Sequence, residues 1–216
     1  SAEGRVRLEA FYRHVHRLTG IAAMCSSESI SNFAACLEAL LHELLTKPDS
    51  FRPSTLKTLA AAVDVLCRMF SEAGRYECPM ISHAMALVID EDLASQRAMT
   101  MAVQKARLHA MSAADADSAL HQLREVLFEL IFLEADMPGT DGFELCARIR
   151  EIPGYEKTPI IFVTGKSDLQ SRARSITSGA NDFISKPVCR IEMSVKALTF
   201  VMKERMAGAT LVNAAA

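Results

Sequence analysis

Five groups capable of joint chemistry stand at the ends of four short apolar runs. Asp90 and Glu91 follow "ALVI" (86–89), Glu134 follows "LIFL" (130–133), Thr164 follows "IIFV" (160–163) and Lys186 follows "DFIS" (182–185). If those runs lie side by side, three carboxylates, a hydroxyl and an ammonium converge on one crevice. Carboxylates so close raise one another's pKa unless a cation stands between them, and either Mg²⁺ or Lys186 could serve. Any one of these acids could equally be a helix cap or a solvated loop end. Five groups at matching ends of successive runs favour a site.

A second candidate lies in "HVHRLTGIAAM" (14–24). At about 100° per residue, Phe11, Val15, Leu18 and Ala22 share one helix face and His16 points away from it, toward solvent. Gly20 follows one turn along from His16 and costs a helix about 1 kcal/mol relative to alanine. A bare turn beside an exposed imidazole lets another protein approach that nitrogen closely. His14 lies nearer the apolar face and reads as a boundary residue. The plainer alternative for His16 is a surface histidine on a dimerisation or docking bundle.

Two kinds of element must position these groups. From Gly4 to about Ala73 the periodicity is helical, in three segments. The apolar faces are the one just named, then Ile30, Phe33, Leu37, Leu40, Leu41 and Leu44, then Leu56, Leu59, Val63, Leu66 and Phe70. Pro48 and Pro53 punctuate the second loop, and Ser54 is expected to cap the third helix. Three such helices on short loops predict an antiparallel bundle.

After a linker around "SEAGRYECP" (71–79) the texture changes. Strands are expected at 86–89, 107–111, 130–133, 160–163 and 182–185, with helices at about 92–105, 115–126, 142–151, 168–178 and 189–206. Five strands alternating with helices predict a parallel sheet covered on both faces. In such a sheet function collects beyond the carboxyl ends of the strands.

The 216 residues are 50% hydrophobic, enough for one or two real cores. Lys+Arg 24 against Asp+Glu 26 leaves a formal net charge of -2, so nothing favours nucleic acid or an anionic membrane as partner. Six cysteines, Cys25, Cys36, Cys67, Cys78, Cys146 and Cys189, form no C-x-x-C pair and read mostly as reduced, buried thiols. No run has the length of a membrane span or the pattern of a signal peptide, and a cytoplasmic location is expected. The chain carries no ATP-binding motif, so a kinase activity of its own is not expected.

Residues 85–206 resemble the receiver domain of two-component response regulators, through "VIDED", "FLEADMPGTDG", "VTG" and "ISKP". The resemblance implies a flavodoxin-like (βα)₅ fold with a five-stranded parallel sheet in the order 2-1-3-4-5. It implies that Asp90 and Glu91 bind Mg²⁺, that Thr164 and Lys186 contact a phosphoryl group, and that Phe183 takes part in a switch. It also implies that the bond before Pro187 is often cis. The family's phosphoacceptor is an aspartate, and Glu134 stands in its place. A glutamate is longer by roughly 1.5 Å, which in-line attack on phosphorus tolerates poorly. Either its reach brings the carboxylate toward Lys186 and Thr164, as a built-in stand-in for the phosphoryl group, or the substitution only silences the site and leaves a fold that binds partners, with weak Mg²⁺ binding at most in both cases. Asp136, two residues on, is the out-of-register alternative acceptor, and its side chain is expected to point elsewhere.

The stretch around His16 resembles the H-x-L-K-G-x-A signature of histidine phosphotransfer (HPt) domains, with His16, Leu18, Gly20 and Ala22 matching. In that family the histidine carries a phosphoryl group between receiver aspartates, exposed on a four-helix bundle. Here Thr19 replaces the usual lysine and only three helices are legible. The expected organisation is an HPt-like domain at 1–78, a linker at 79–84, a receiver-like domain at 85–206 and a tail at 207–216. The expected partners are a histidine kinase or other receiver and HPt proteins, with a homodimer through the helical domain compatible with the pattern. The rival expectations are an interaction scaffold without phosphoryl chemistry, and a receiver phosphorylated at Glu134 or Asp136.

Overall fold

The structure is a computed structural model that describes residues 2–24, 28–72, 83–137, 139–165 and 178–214. The chain forms two compact units, one of Ser1–Ile81 with Ser194–Ala216 and one of Ser82–Met193.

The first unit contains α1 (Ala2–Met24), α2 (Glu28–Thr46), a 3-10 turn at Pro48–Ser50 and α3 (Pro53–Glu72). α2 buries all six of its expected core residues, from Ile30 to Leu44. Tyr12 meets the ring of His42 and His16 meets Glu38, so α1 and α2 run antiparallel. On α1 only Val15 and Ala22 are fully buried, while Leu8, Phe11 and Leu18 are half-buried.

α3 departs from its expected face. Leu56 is 54% exposed, while Thr55, Thr58, Leu59, Ala62, Val65, Leu66 and Met69 are buried. The buried stripe keeps Leu59 and Leu66 of the expected face, with Val63 and Phe70 half-buried, and adds Thr55, Thr58, Ala62, Val65 and Met69, so it is rotated partway from the expected one. Ser54 is not the cap either: Pro53, which needs no amide partner, opens the helix, and Ser54 lies in its first turn. The fourth helix of this unit comes from the other end of the chain. α7 (Arg190–Ala214) contributes its residues from Ser194 onward, and it continues through the 207–214 stretch expected as tail.

The second unit alternates β1 (Met85–Ile89), α4 (Leu93–Lys105), β2 (His109–Ala113), α5 (Ala116–Glu125) and β3 (Leu130–Glu134). A short hairpin of β4 (Asp136–Met137) and β5 (Thr140–Asp141) follows, then α6 (Gly142–Arg150), β6 (Ile160–Thr164), β7 (Asp182–Ser185) and the start of α7. The five long strands are parallel, in the order β2-β1-β3-β6-β7. Against the expected 2-1-3-4-5, the two strands of the hairpin take numbers four and five in the chain. β2 begins two residues later than expected, because Arg107 has a positive φ of 62° and closes the turn after α4. The expected helix at 168–178 and linker at 79–84 fall largely outside the described residues.

β3 and β6 are buried at every position, as strands covered on both faces require. One face packs Leu87, Ile89, Ile131, Leu133 and Phe162 under Leu120 and Leu123 of α5 and Cys146 and Ile149 of α6. Tyr155, 1% exposed, ties the loops that enter β3 and β6: its hydroxyl donates to the Val126 carbonyl at 2.6 Å and accepts from the Phe128 amide at 3.2 Å. Of the cysteines described, Cys146 is buried, Cys36 and Cys189 are half-buried and Cys67 is exposed, all as free thiols. Burial was thus the wrong expectation for Cys67. No described helix is long and apolar enough to cross a membrane.

Candidate functional site

The sheet brings Asp90, Glu134, Thr164 and Lys186 to one end. Asp90 follows β1, Glu134 and Thr164 close β3 and β6, and Lys186 follows β7. The backbone fixes their spacing: the Asp90 amide donates to the Ala113 carbonyl, and the Lys186 amide donates to the Thr164 carbonyl at 2.8 Å.

Asp90 is 1% exposed and fully engaged. Its Oδ1 accepts from the Asp92 amide at 2.9 Å; its Oδ2 accepts from Ser95 Oγ at 2.7 Å and from Lys186 Nζ at 2.8 Å. Ser95 lies in the first turn of α4, which Asp92 caps by accepting from the Ala94 and Ser95 amides. Sequence reasoning missed Ser95; its place five residues after Asp90, at a helix start, is the signal that could have found it. Glu91 is exposed, apart from this buried set.

Glu134 is 3% exposed. Its Oε1 accepts from the Asp136 amide at 3.1 Å, and its Oε2 forms an ion pair with the Lys186 ammonium. Lys186 therefore bridges Asp90 and Glu134. Burial pushes the Glu134 carboxyl above the ordinary carboxylate range, against the pull of Lys186. Burial would lower the Lys186 pKa, but hydrogen bonds and charge from Asp90 and Glu134 outweigh it and hold the ammonium above its ordinary value.

Thr164 is not brought to Glu134. Its Oγ1 faces Asp136 Oδ2 at 3.5 Å, the outer limit of a hydrogen bond. The Asp136 side chain, expected to point elsewhere, thus faces the site. Phe183 is half-buried on β7 and packs against the core. The Lys186–Pro187 bond is cis. Gly142 opens α6 directly against the loop that carries Glu134: a Cβ there would run into the Glu134 carbonyl oxygen and lie 2.9 Å from Ala135 Cα.

Receiver domains generally bind Mg²⁺ at this acidic pocket. Among the described residues, however, no group of three or more His, Cys, Asp or Glu side chains is arranged to hold a metal ion. With Asp90 and Glu134 both turned onto Lys186 and Glu91 exposed, these residues do not fit the ion in this arrangement.

In the helical unit His16 is exposed, its side chain 66% accessible, and its Nδ1 lies 2.8 Å from Glu38 Oε1. A carboxylate oxygen only accepts, so Nδ1 is the donor in this contact, and in the neutral imidazole Nε2 is then the nitrogen that holds the lone pair. The Tyr12 ring stacks on the imidazole at 6.1 Å, with planes 15° apart. Gly20 is exposed, with nothing within 4 Å of a Cβ placed there. His14 is engaged locally, donating from Nδ1 to the Ala10 carbonyl at 2.7 Å. Glu38 was not singled out in the sequence, since its approach to His16 depends on the register between α1 and α2.

Known proteins share the second unit. The family described as response regulator receiver domain matches residues 86–198. The transcriptional regulatory protein ResD of Bacillus subtilis is 34% identical over 114 residues, 52% of this chain and 46% of ResD. An uncharacterised 14.6 kDa protein of Leptolyngbya boryana is 33% identical over 107 residues, 50% of this chain and 82% of that protein. The chemotaxis response regulator CheY4 of Vibrio cholerae has a similar solved structure, with a TM-score of 0.52, 26% identity, and coverage of 56% of this chain and 99% of that one. The chain spans about half the length of ResD.

Proposed function

The chain belongs to the response regulator receiver family through residues 86–198, and from that premise we propose that it is a phosphorelay protein whose phosphoryl chemistry resides on His16. In this reading the receiver unit takes up no phosphate at Glu134 and serves as a docking or regulatory unit for a histidine kinase, another receiver or an HPt protein. The protein is then a phosphoryl carrier, and an interaction scaffold without phosphoryl chemistry is the alternative that the experiment below distinguishes from it.

The observation that carries the proposal is the His16–Glu38 contact. A histidine acts as a nucleophile through its unprotonated nitrogen, and the proton on Nδ1 leaves Nε2 as that nitrogen. When Nε2 forms the N–P bond, the imidazole becomes cationic, and the Glu38 carboxylate offsets the charge through the proton that stays on Nδ1.

At the receiver site Lys186 takes the place that a divalent cation would hold between Asp90 and Glu134. Glu134 has one oxygen on the Asp136 amide and the other on Lys186, which holds the carboxylate in an orientation set by those contacts rather than by an incoming phosphorus. A second reading has one specific observation in its favour: Asp136 Oδ2 faces the Thr164 hydroxyl, so Asp136 is the carboxylate to test for out-of-register phosphorylation.

Phosphorylation of wild type, His16→Gln and Asp136→Asn separates these. Loss of phosphate only in His16→Gln supports the proposal, and loss only in Asp136→Asn supports the second reading. No phosphate on any of them, from a donor shown to be active, leaves the scaffold.

A further inference from the structure

Thr19 occupies the position where the HPt signature has lysine, so the cation that would meet the incoming phosphoryl group is missing from its usual place. Arg13, His16, Arg17 and Gly20 are all exposed, and their spacing of three, four and seven residues from Arg13 puts them on one stripe of α1. Arg13 lies one turn before His16 and one turn before Arg17, so it neighbours both on the helix surface. Arg17 makes no hydrogen bond or ion pair among the described residues, and Arg13 makes one long contact, from Nε to the Glu9 carbonyl at 3.4 Å. Arg5 and Arg7, farther toward the N-terminus of α1, are instead paired with Glu9 and Glu3.

Resting on the reading of His16 as phosphoacceptor, we propose that Arg13 and Arg17 form the cationic grip for the phosphoryl group. The stripe they share with His16 is then the surface that docks a partner presenting an aspartyl phosphate in an acidic pocket. A guanidinium presents a planar fork of donors to two phosphate oxygens, and a surface with two uncommitted forks beside one nucleophilic nitrogen is complementary to a phosphoryl dianion. Gly20, with open space above it, lets the partner's loop approach the stripe. In the transfer, the Nε2 lone pair forms the N–P bond as the P–O bond to the partner's aspartate breaks. The aspartate leaves as a carboxylate, and the Nδ1 proton stays on the hydrogen bond to Glu38.

The test uses phosphoramidate, whose P–N bond breaks with ammonia as leaving group, and follows the intact mass of the whole chain with time. The variants are Arg13→Gln, Arg17→Gln, their double variant and, as a control of equal charge change to the double variant, Arg5→Gln combined with Arg7→Gln. The double variant is expected to gain phosphate about tenfold more slowly than wild type, with the control unchanged. Wild type should also slow as salt is raised, and the double variant should show a flatter salt dependence. Equal rates for wild type and the double variant would overturn the grip while leaving His16 as acceptor. Absence of phosphate on wild type itself would instead remove the reading on which the grip rests.

Discussion

Glu134 and Lys186 form an ion pair at the carboxyl end of the sheet, and the same ammonium holds Asp90 at 2.8 Å. One lysine thus stands between two buried carboxylates that would otherwise repel each other. The added methylene of a glutamate makes this reach natural: its carboxylate extends about 1.5 Å beyond where an aspartate's would end.

Replacing Glu134 by glutamine tests how that carboxyl is held. Its folded pKa is raised above the ordinary 4.5, mainly by burial. The folded state therefore binds the proton more tightly than the unfolded one, and the group stabilises the fold below pH 4.5. That contribution is lost as pH rises through the folded value. Glu134→Gln is expected to unfold at or above the wild-type temperature at pH 7, and the two should converge below pH 4. A clearly lower melting temperature for the variant at pH 7 would contradict this.

Replacing Lys186 by methionine leaves Asp90 and Glu134 facing each other without a cation. A loss of about 3 kcal/mol at pH 7 is expected by urea denaturation, the scale for one partner removed from a buried pair. The Lys186 pKa is raised in the fold by its two acids, so its contribution is complete below the ordinary 10.5 and declines as pH rises through the folded value. The stability gap between wild type and Lys186→Met should accordingly shrink in alkaline solution.

Shortening Glu134 to aspartate should draw the carboxylate back from Lys186 and free it for chemistry. With acetyl phosphate and Mg²⁺, Glu134→Asp is expected to gain an acid-stable, base-labile phosphate by intact mass, and wild type to gain none at position 134. A wild-type adduct mapped to Glu134 would show that the longer side chain is no obstacle.

Sequence reasoning reached furthest where burial leaves few choices. "LIFL" and "IIFV" are covered on both faces and have no alternative phase, so the strands and the groups at their ends were legible. It reached less far on α3, where Leu59 and Leu66 of the expected stripe are buried but Leu56 is exposed and Thr55, Thr58 and Ala62 are buried in addition. Small residues carry little hydropathy signal, yet they permit close packing. Contacts between distant elements were not legible at all: Glu38 on His16 depends on helix register, and the fourth helix of the first unit lies more than a hundred residues away from the other three. Asp136 shows a subtler limit, because two-residue strands reorient a side chain without any periodic pattern.

Gly142 should be intolerant of any side chain. Gly142→Ala forces a Cβ against the backbone of Glu134 and Ala135, and a loss of about 1–3 kcal/mol is expected by denaturant unfolding. The NMR signals of residues 134–137 should move with it.

At the amino ends of the strands, Tyr155→Phe removes the hydroxyl that serves both the Val126 carbonyl and the Phe128 amide. Leaving two buried backbone groups unmatched is expected to cost about 1–3 kcal/mol, with residues 134–137 unperturbed.

The most direct measurement is the intact mass of wild type and His16→Gln after incubation with phosphoramidate at neutral pH, with a known phosphoaccepting histidine protein as donor control. The account predicts one added phosphate on wild type and none on His16→Gln. A phosphate that persists in His16→Gln, or that never forms on wild type while the control is labelled, would contradict it.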